Sequence, residues 1–127
     1  LSMKKKNILT KIDFTPFKNQ NTFFAMTSHI VYKALDPKNV ATHSKHIVQD
    51  IIRKNISFKN IIISDDISMK ALKHSFSDNI KKSYEAGCNL VLHCNGNLSE
   101  MYMLASIAPN IDNFIIKKTS QFYKFLL

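Results

Sequence analysis

Tryptophan is absent, glycine and cysteine occur twice each, proline three times and arginine once among 127 residues. Two cysteines are too few for a disulfide scaffold, and they suggest a reducing compartment. So little Gly and Pro excludes collagen-like repeats and Pro/Gly-rich linkers, and Pro16, Pro37 and Pro109 punctuate loops or element ends. No run approaches the ~20 apolar residues of a membrane span. The basic opening Lys4-Lys5-Lys6 leads into Ile8-Leu9-Thr10-Lys11 instead of a continuous apolar stretch, so neither a signal peptide nor an anchor is expected, and the expected location is cytoplasmic. No internal repeat divides the chain, which reads as one domain or part of one. It opens on Leu1, as the tail of a longer chain or an unusual start would.

What is present is 45% hydrophobic residues and a formal charge of +9. The hydrophobic content suffices for a core. The charge comes almost wholly from Lys, 17 of 18 cations, scattered alongside 16 Ile and 12 Asn. Arg, whose planar fork matches phosphates and guanine edges, is represented by Arg53 alone, so the charge reads as a solvated surface and no nucleic-acid partner is expected.

Three short, nearly unbroken apolar runs, residues 22–28, 60–64 and 89–93, read as buried parallel strands. Helical patterns separate them. Ser44 caps a helix with Ile47, Val48, Ile51 and Ile52 on one face. Ser77 caps a second helix, with Ile80, Ser83 and Tyr84 on one side and Gly87 at its end. Asn97 with Glu100 resembles a capping box ahead of Met101 and Leu104, and residues 111–127 read as a last helix. Strand then helix, three times over, predicts an α/β fold with helices packed on a parallel sheet.

In such folds chemistry sits beyond the carboxyl ends of strands. Here those exits are Thr27-Ser28-His29, Ser64-Asp65-Asp66-Ile67-Ser68-Met69 and His93-Cys94-Asn95-Gly96. Each has a plain explanation. Ser64 or Asp65 caps a short helix near Ile67, His29 is a hydrogen-bonded histidine of the rim, and Cys94 is an inert buried thiol. The cysteines are six apart without a second pair and the five His show no ligand pattern, so no metal is expected. The pair Asp65-Asp66 alone also suits a phosphoacceptor or magnesium site, but the other two exits supply no further acids.

The ordered string Asp13-Phe14-Thr15-Pro16-Phe17, Ala25-Met26-Thr27-Ser28-His29-Ile30, Ala41-Thr42-His43-Ser44, Ile61-Ile62-Ile63-Ser64-Asp65-Asp66-Ile67-Ser68-Met69 and Ala86-Gly87-Cys88-Asn89-Leu90-Val91-Leu92-His93-Cys94-Asn95 resembles bacterial family 3 glycoside hydrolases of the β-N-acetylhexosaminidase type. The resemblance runs from about Asp13 to Gly96. It implies a (β/α)8 TIM barrel that removes terminal N-acetylglucosamine, with retention, from peptidoglycan fragments in the cytoplasm, without a cofactor. Asp65 falls at the family's nucleophile, while His29 and Met69 match pocket-lining, substrate-binding positions. Asp66 is a cap or supporting group.

The chain departs from the family pattern at Asn60 (Gly in the family), His43 (usually Leu) and Asn89 (Asp), with His43 expected on an exposed turn. The family's Lys-His-Phe-Pro-Gly-His-Gly type segment and its Asp-x-His general acid/base loop precede these motifs and do not occur in residues 1–127. The resemblance therefore implies the carboxyl-terminal part of the catalytic barrel: about three strand-helix units plus a C-terminal helix, with Phe23, Phe24, Ile62 and Val91 or their neighbours on an apolar inner face. The expected partners are an N-acetylglucosamine-containing glycan and a complementary amino-terminal barrel fragment. The alternatives are a non-catalytic remnant or sugar-binding module of the family, and a Lys-rich binder of anionic surfaces.

Overall fold

A computed structural model describes residues 1–127. Three strands, β1 (Phe24–Met26), β2 (Ile61–Asp66) and β3 (Leu90–Leu92), form one parallel sheet in the order β1-β2-β3. The α/β class read from the sequence is the observed one, and each strand lies in or overlaps its expected run. Phe24 pairs with Ile61 and Met26 with Ile63, whereas β2 and β3 pair at Ile63–Leu90 and Asp66–Leu92 with a register shift between. That irregularity falls beside Asp65.

A helix follows each strand. Residues His46–Asn55 form a π-helix whose wide turns show in the bond from the Ile56 N–H to the Ile51 carbonyl at 2.8 Å. The periodicity had predicted an ordinary α-helix here. Ser44 does act at its start, its Oγ accepting from the Ile47 N–H at 3.2 Å, and Ile47, Val48 and Ile51 are buried as expected.

Helix α2 (Phe76–Ala86) begins two residues earlier than the Ser77 cap predicts. Ser75 is the cap: its Oγ accepts from the Asp78 N–H at 3.1 Å and donates to the Asp78 carboxylate at 2.7 Å, and that acid sits at the positive end of the helix. Gly87 ends α2 at φ +114°, where a Cβ would also run into the side chains of Gln49 and Val48.

Asn97 caps α3 (Leu98–Ile107), and Asp112 caps α4 (Asn113–Leu126) by accepting from the Ile115 N–H at 2.8 Å. Before β1, the chain coils through α1 (Lys6–Ile8) and a π-turn over Leu9–Asp13, which the sequence reading did not anticipate; Leu9 alone of these is buried.

Both core clusters pack between the sheet and the helices, while Ile61, 1% exposed, is buried on the sheet's other face. Val48, Ile51, Ile56, Phe58, Ile62, Ala86 and Cys88 form the larger cluster, and Ile67, Leu72 and Ile80 the smaller, with Val91, Leu104 and Ile107 packed against it. Ile62 and Val91 thus pack under the helices, and of the residues expected on an inner face or their neighbours it is Phe24, Ile61 and Ile63 that turn the other way. The cause is strand alternation: with Ala25 and Ile62 turned to the helices, Phe24, Met26, Ile61 and Ile63 share the opposite face. Phe24 is 37% and Met26 58% exposed on it. Phe23 precedes the strand and meets Phe122 and Phe125 of α4 at ring-centroid distances of 5.2 and 5.4 Å.

Candidate active site at the strand exits

The three exits converge on Asp66. Its backbone carbonyl accepts from His29 Nε2 at 2.8 Å, at the exit of β1, and from the Met69 N–H at 3.2 Å. One carboxylate oxygen accepts from the Cys94 N–H at 3.2 Å, at the exit of β3, and from the Ser68 N–H and Oγ at 3.1 and 2.8 Å. Burial works to raise the Asp66 pKa, but the Ser68 and Cys94 bonds and the nearby His93 outweigh it, so the carboxylate titrates below its ordinary range. Asp66 is an anchored anion that closes a turn. The short helix expected near Ile67 is absent, because Asp66 satisfies these amides in a turn.

Asp65, one residue earlier, accepts from the Asp66 N–H at 2.9 Å through one carboxylate oxygen and is half-buried. Met69 is 44% exposed on the turn that follows. Sequence reasoning singled out His29, Asp65 and Met69, and the structure gathers all three around the backbone of one residue, Asp66, His29 and Met69 at its carbonyl and Asp65 at its N–H.

It missed Thr42. This fully buried residue lies in a short 3-10 turn (Ala41–His43), and its hydroxyl is 2.9 Å from both Thr27 Oγ1 and His29 Nδ1 and 3.1 Å from the Ser28 carbonyl. A lone Thr in a loop gives no local sign of such contacts. Asp36 fixes the same segment, accepting from Ser44 Oγ at 2.7 Å and from the amides of Lys38 and Asn39 at 3.0 Å. Burial opposes its charge, yet these bonds hold its pKa at about 2.

At the β3 exit, His93 Nε2 and Asn95 Nδ2 both donate to Glu100 at 2.7 Å. The Glu100 side chain is thereby diverted from the reciprocal arm of the capping box, and the Asn97 N–H goes to Asn95 Oδ1 at 2.8 Å. Cys94 is exposed, against the expectation of a buried thiol, and Cys88 is the buried one, its pKa pushed up to about 11 by burial. No cluster of three or more His, Cys, Asp or Glu side chains is placed to hold a metal ion. No helix is long and apolar enough to cross a membrane.

The family model described as "Glycosyl hydrolase family 3 N terminal domain" matches residues 2–120. The chain belongs to glycosyl hydrolase family 3. Among its relatives, a β-hexosaminidase from Nitrosomonas eutropha is 36% identical over 104 residues, 78% of this chain and 30% of that protein. One from Psychromonas ingrahamii is 33% identical, covering 96% of this chain and 35% of its own length. Among solved structures, native NagZ from Neisseria gonorrhoeae superposes with a TM-score of 0.77 at 25% identity, over 91% of this chain and 33% of that one. The family 3 chain described here thus spans about a third of the length of these relatives. The likeness bears out the resemblance read from the motif string.

Proposed function

We propose that this chain is the carboxyl-terminal part of a family 3 catalytic barrel and supplies the nucleophile of a retaining β-N-acetylhexosaminidase acting on N-acetylglucosamine-containing glycans. The observation that carries this is Asp65 at the carboxyl end of the central parallel strand, in a chain whose relatives are β-hexosaminidases. In this reading a carboxylate oxygen of Asp65 attacks the anomeric carbon. The bond to the leaving oxygen breaks as a general acid protonates that oxygen, and water then opens the glycosyl-enzyme with the same group acting as base. Met69 and His29 border the site. The two unpaired thiols, Cys88 and Cys94, fit action in a reducing cytoplasm on peptidoglycan fragments.

The general acid/base must come from outside residues 1–127, so a complementary amino-terminal barrel piece is the natural partner. The chain exposes 8312 Å², about 1400 Å² more than the roughly 6900 Å² of a self-contained globule of its size. An excess of that order resembles one side of an obligate interface. A cavity of about 620 Å³ opens beside β1, its lining including Phe14, Pro16, Phe24, Met26, Ile30 and Tyr32. An added parallel strand would cover it while pairing with the free edge of β1.

The test is co-expression with an amino-terminal half of a family relative and assay on a chromogenic N-acetylglucosaminide. Activity is expected from the pair. Turnover by this chain alone should be lower by the ~10²- to 10⁴-fold that a general acid contributes. Asp65→Asn should remove activity from the pair by at least about 10³-fold. A soluble, associated and inactive pair would refute the reading.

A further inference from the structure

His29 spends both ring nitrogens inside the protein. The Asp66 carbonyl, 2.8 Å from Nε2, can only accept, so Nε2 carries the proton. Neutral His29 then accepts at Nδ1 from the Thr42 hydroxyl at 2.9 Å, and Thr42 in turn accepts from Thr27 Oγ1 at 2.9 Å. Were Nδ1 protonated as well as Nε2, the Thr42 hydroxyl would turn to the Ser28 carbonyl at 3.1 Å and accept from the ring instead. Either way the bond to Asp66 persists. Thr27 and Thr42 are buried, so water does not compete for these bonds.

We infer that His29 is a positioning residue for Asp65. It ties the exit of β1 to the Asp66 carbonyl, fixing the backbone of that residue, and the Asp66 N–H, in the preceding peptide, holds one oxygen of the Asp65 carboxylate at 2.9 Å. The Cys94 N–H braces Asp66 from the β3 side. The chain of bonds therefore runs from Thr27 through Thr42, His29 and Asp66 to Asp65. It leaves His29 no nitrogen with which to bind a sugar hydroxyl, so the ring contributes aim and surface to the site and does not hydrogen-bond the glycan. The catalytic consequence rests on the glycosidase reading; the geometry does not.

Two near-isosteric variants separate the roles. The amide nitrogen of Gln reaches as far along its side chain as Nε2 does in His, and that of Asn only as far as Nδ1. His29→Gln therefore keeps the donor to Asp66, and His29→Asn loses it. In the isotope-labelled full chain, long-range proton–nitrogen correlation should show His29 as the Nε2–H tautomer with a slowly exchanging ring proton. His29→Asn should shift the Asp65 and Asp66 signals, and His29→Gln should largely restore them. In the pair with an amino-terminal barrel half, His29→Asn should lower kcat on the order of 10²-fold with KM little changed, with His29→Gln recovering most of the loss. A sugar-binding role would instead raise KM in both variants.

An Nδ1–H tautomer, a freely exchanging ring proton, or equal Asp65 and Asp66 shifts in the two variants would overturn the inference. An inactive pair with the spectroscopic result intact would refute the glycosidase reading and leave the positioning contact standing.

Discussion

At the scale of single residues, His43 stands out. Its Nε2 is buried without a hydrogen-bond partner, its ring centroid lies 6.1 Å from that of His74, and Lys82 is near. Burial first, then the positive potential of His29, His74 and Lys82, lowers its pKa from 6.5 to about 4. The unfolded chain thus binds this proton more readily than the folded one. The stability at stake is fully present above pH 6.5, falls as pH drops towards 4, and changes no further below that. His43→Leu should flatten the pH dependence of unfolding across that window and raise the unfolding free energy measured in urea below it by about 1 kcal/mol once water screening is allowed for. The sequence reading put His43 on an exposed turn. His74 and Asn79, which crowd it, stand over thirty residues away in sequence, a distance no local pattern spans. Asp65, by contrast, was singled out from a contiguous motif, and its place near the carboxyl end of β2 follows from the short apolar run just before it.

At the scale of elements, the joint between the 46–55 helix and the starts of β2 and β3 turns on Arg53. Half-buried between Phe58 and Phe114, it donates to the Phe58 and Asn60 carbonyls and, at 2.7 Å, to Asn89 Oδ1, which also accepts from the Ile62 N–H at 2.9 Å. No carboxylate pairs with it, and burial lowers its pKa. Asn89→Asp keeps both acceptor bonds and adds a charge pair, so it should stabilise the chain by about 1 kcal/mol at pH 7. The gain should vanish once the carboxylate is protonated, as urea midpoints at pH 7 and pH 3 would show. The elements themselves were largely readable. Short apolar runs became strands, Gly87 ended its helix and Asn97 capped the next. The π-winding of residues 46–55 was not readable, since an apolar stripe at helical spacing looks alike for either winding over ten residues. Nor was the cap of α2, where two serines, Ser75 and Ser77, compete within one turn.

At the scale of the whole molecule, buried residues number 21 of 127, and α3 buries none, leaving Leu98, Met101 and Tyr102 47–70% exposed. Beside β1, Phe23 and Thr27 bond to β2, so by alternation the peptide groups of Phe24 and Met26 face an unpaired edge. The isolated chain should associate as its concentration rises in sedimentation experiments. Met26→Lys, which puts a charge on that edge strand, should reduce the association while changing the unfolding free energy measured in urea by no more than about 0.5 kcal/mol. The class of fold was legible from the alternation of strand and helix, but the direction in which each strand's side chains turn was not. The face opposite the helices was readable only as Phe23, Phe24, Ile62 and Val91 or their neighbours, because a continuous apolar run carries no phase, and in β2 it is the neighbours Ile61 and Ile63 that take it.

The strands stand side by side in the order in which they are synthesised. Cutting such a chain at a loop scrambles nothing on either side of the cut: each piece keeps its own neighbours and alignment, like a curved stretch of wall lifted out between two mortar lines. A gene interrupted there, by mutation or by an engineer, yields parts whose strands are already neighbours, and the same ordering makes this segment a ready module for exchange at its loops.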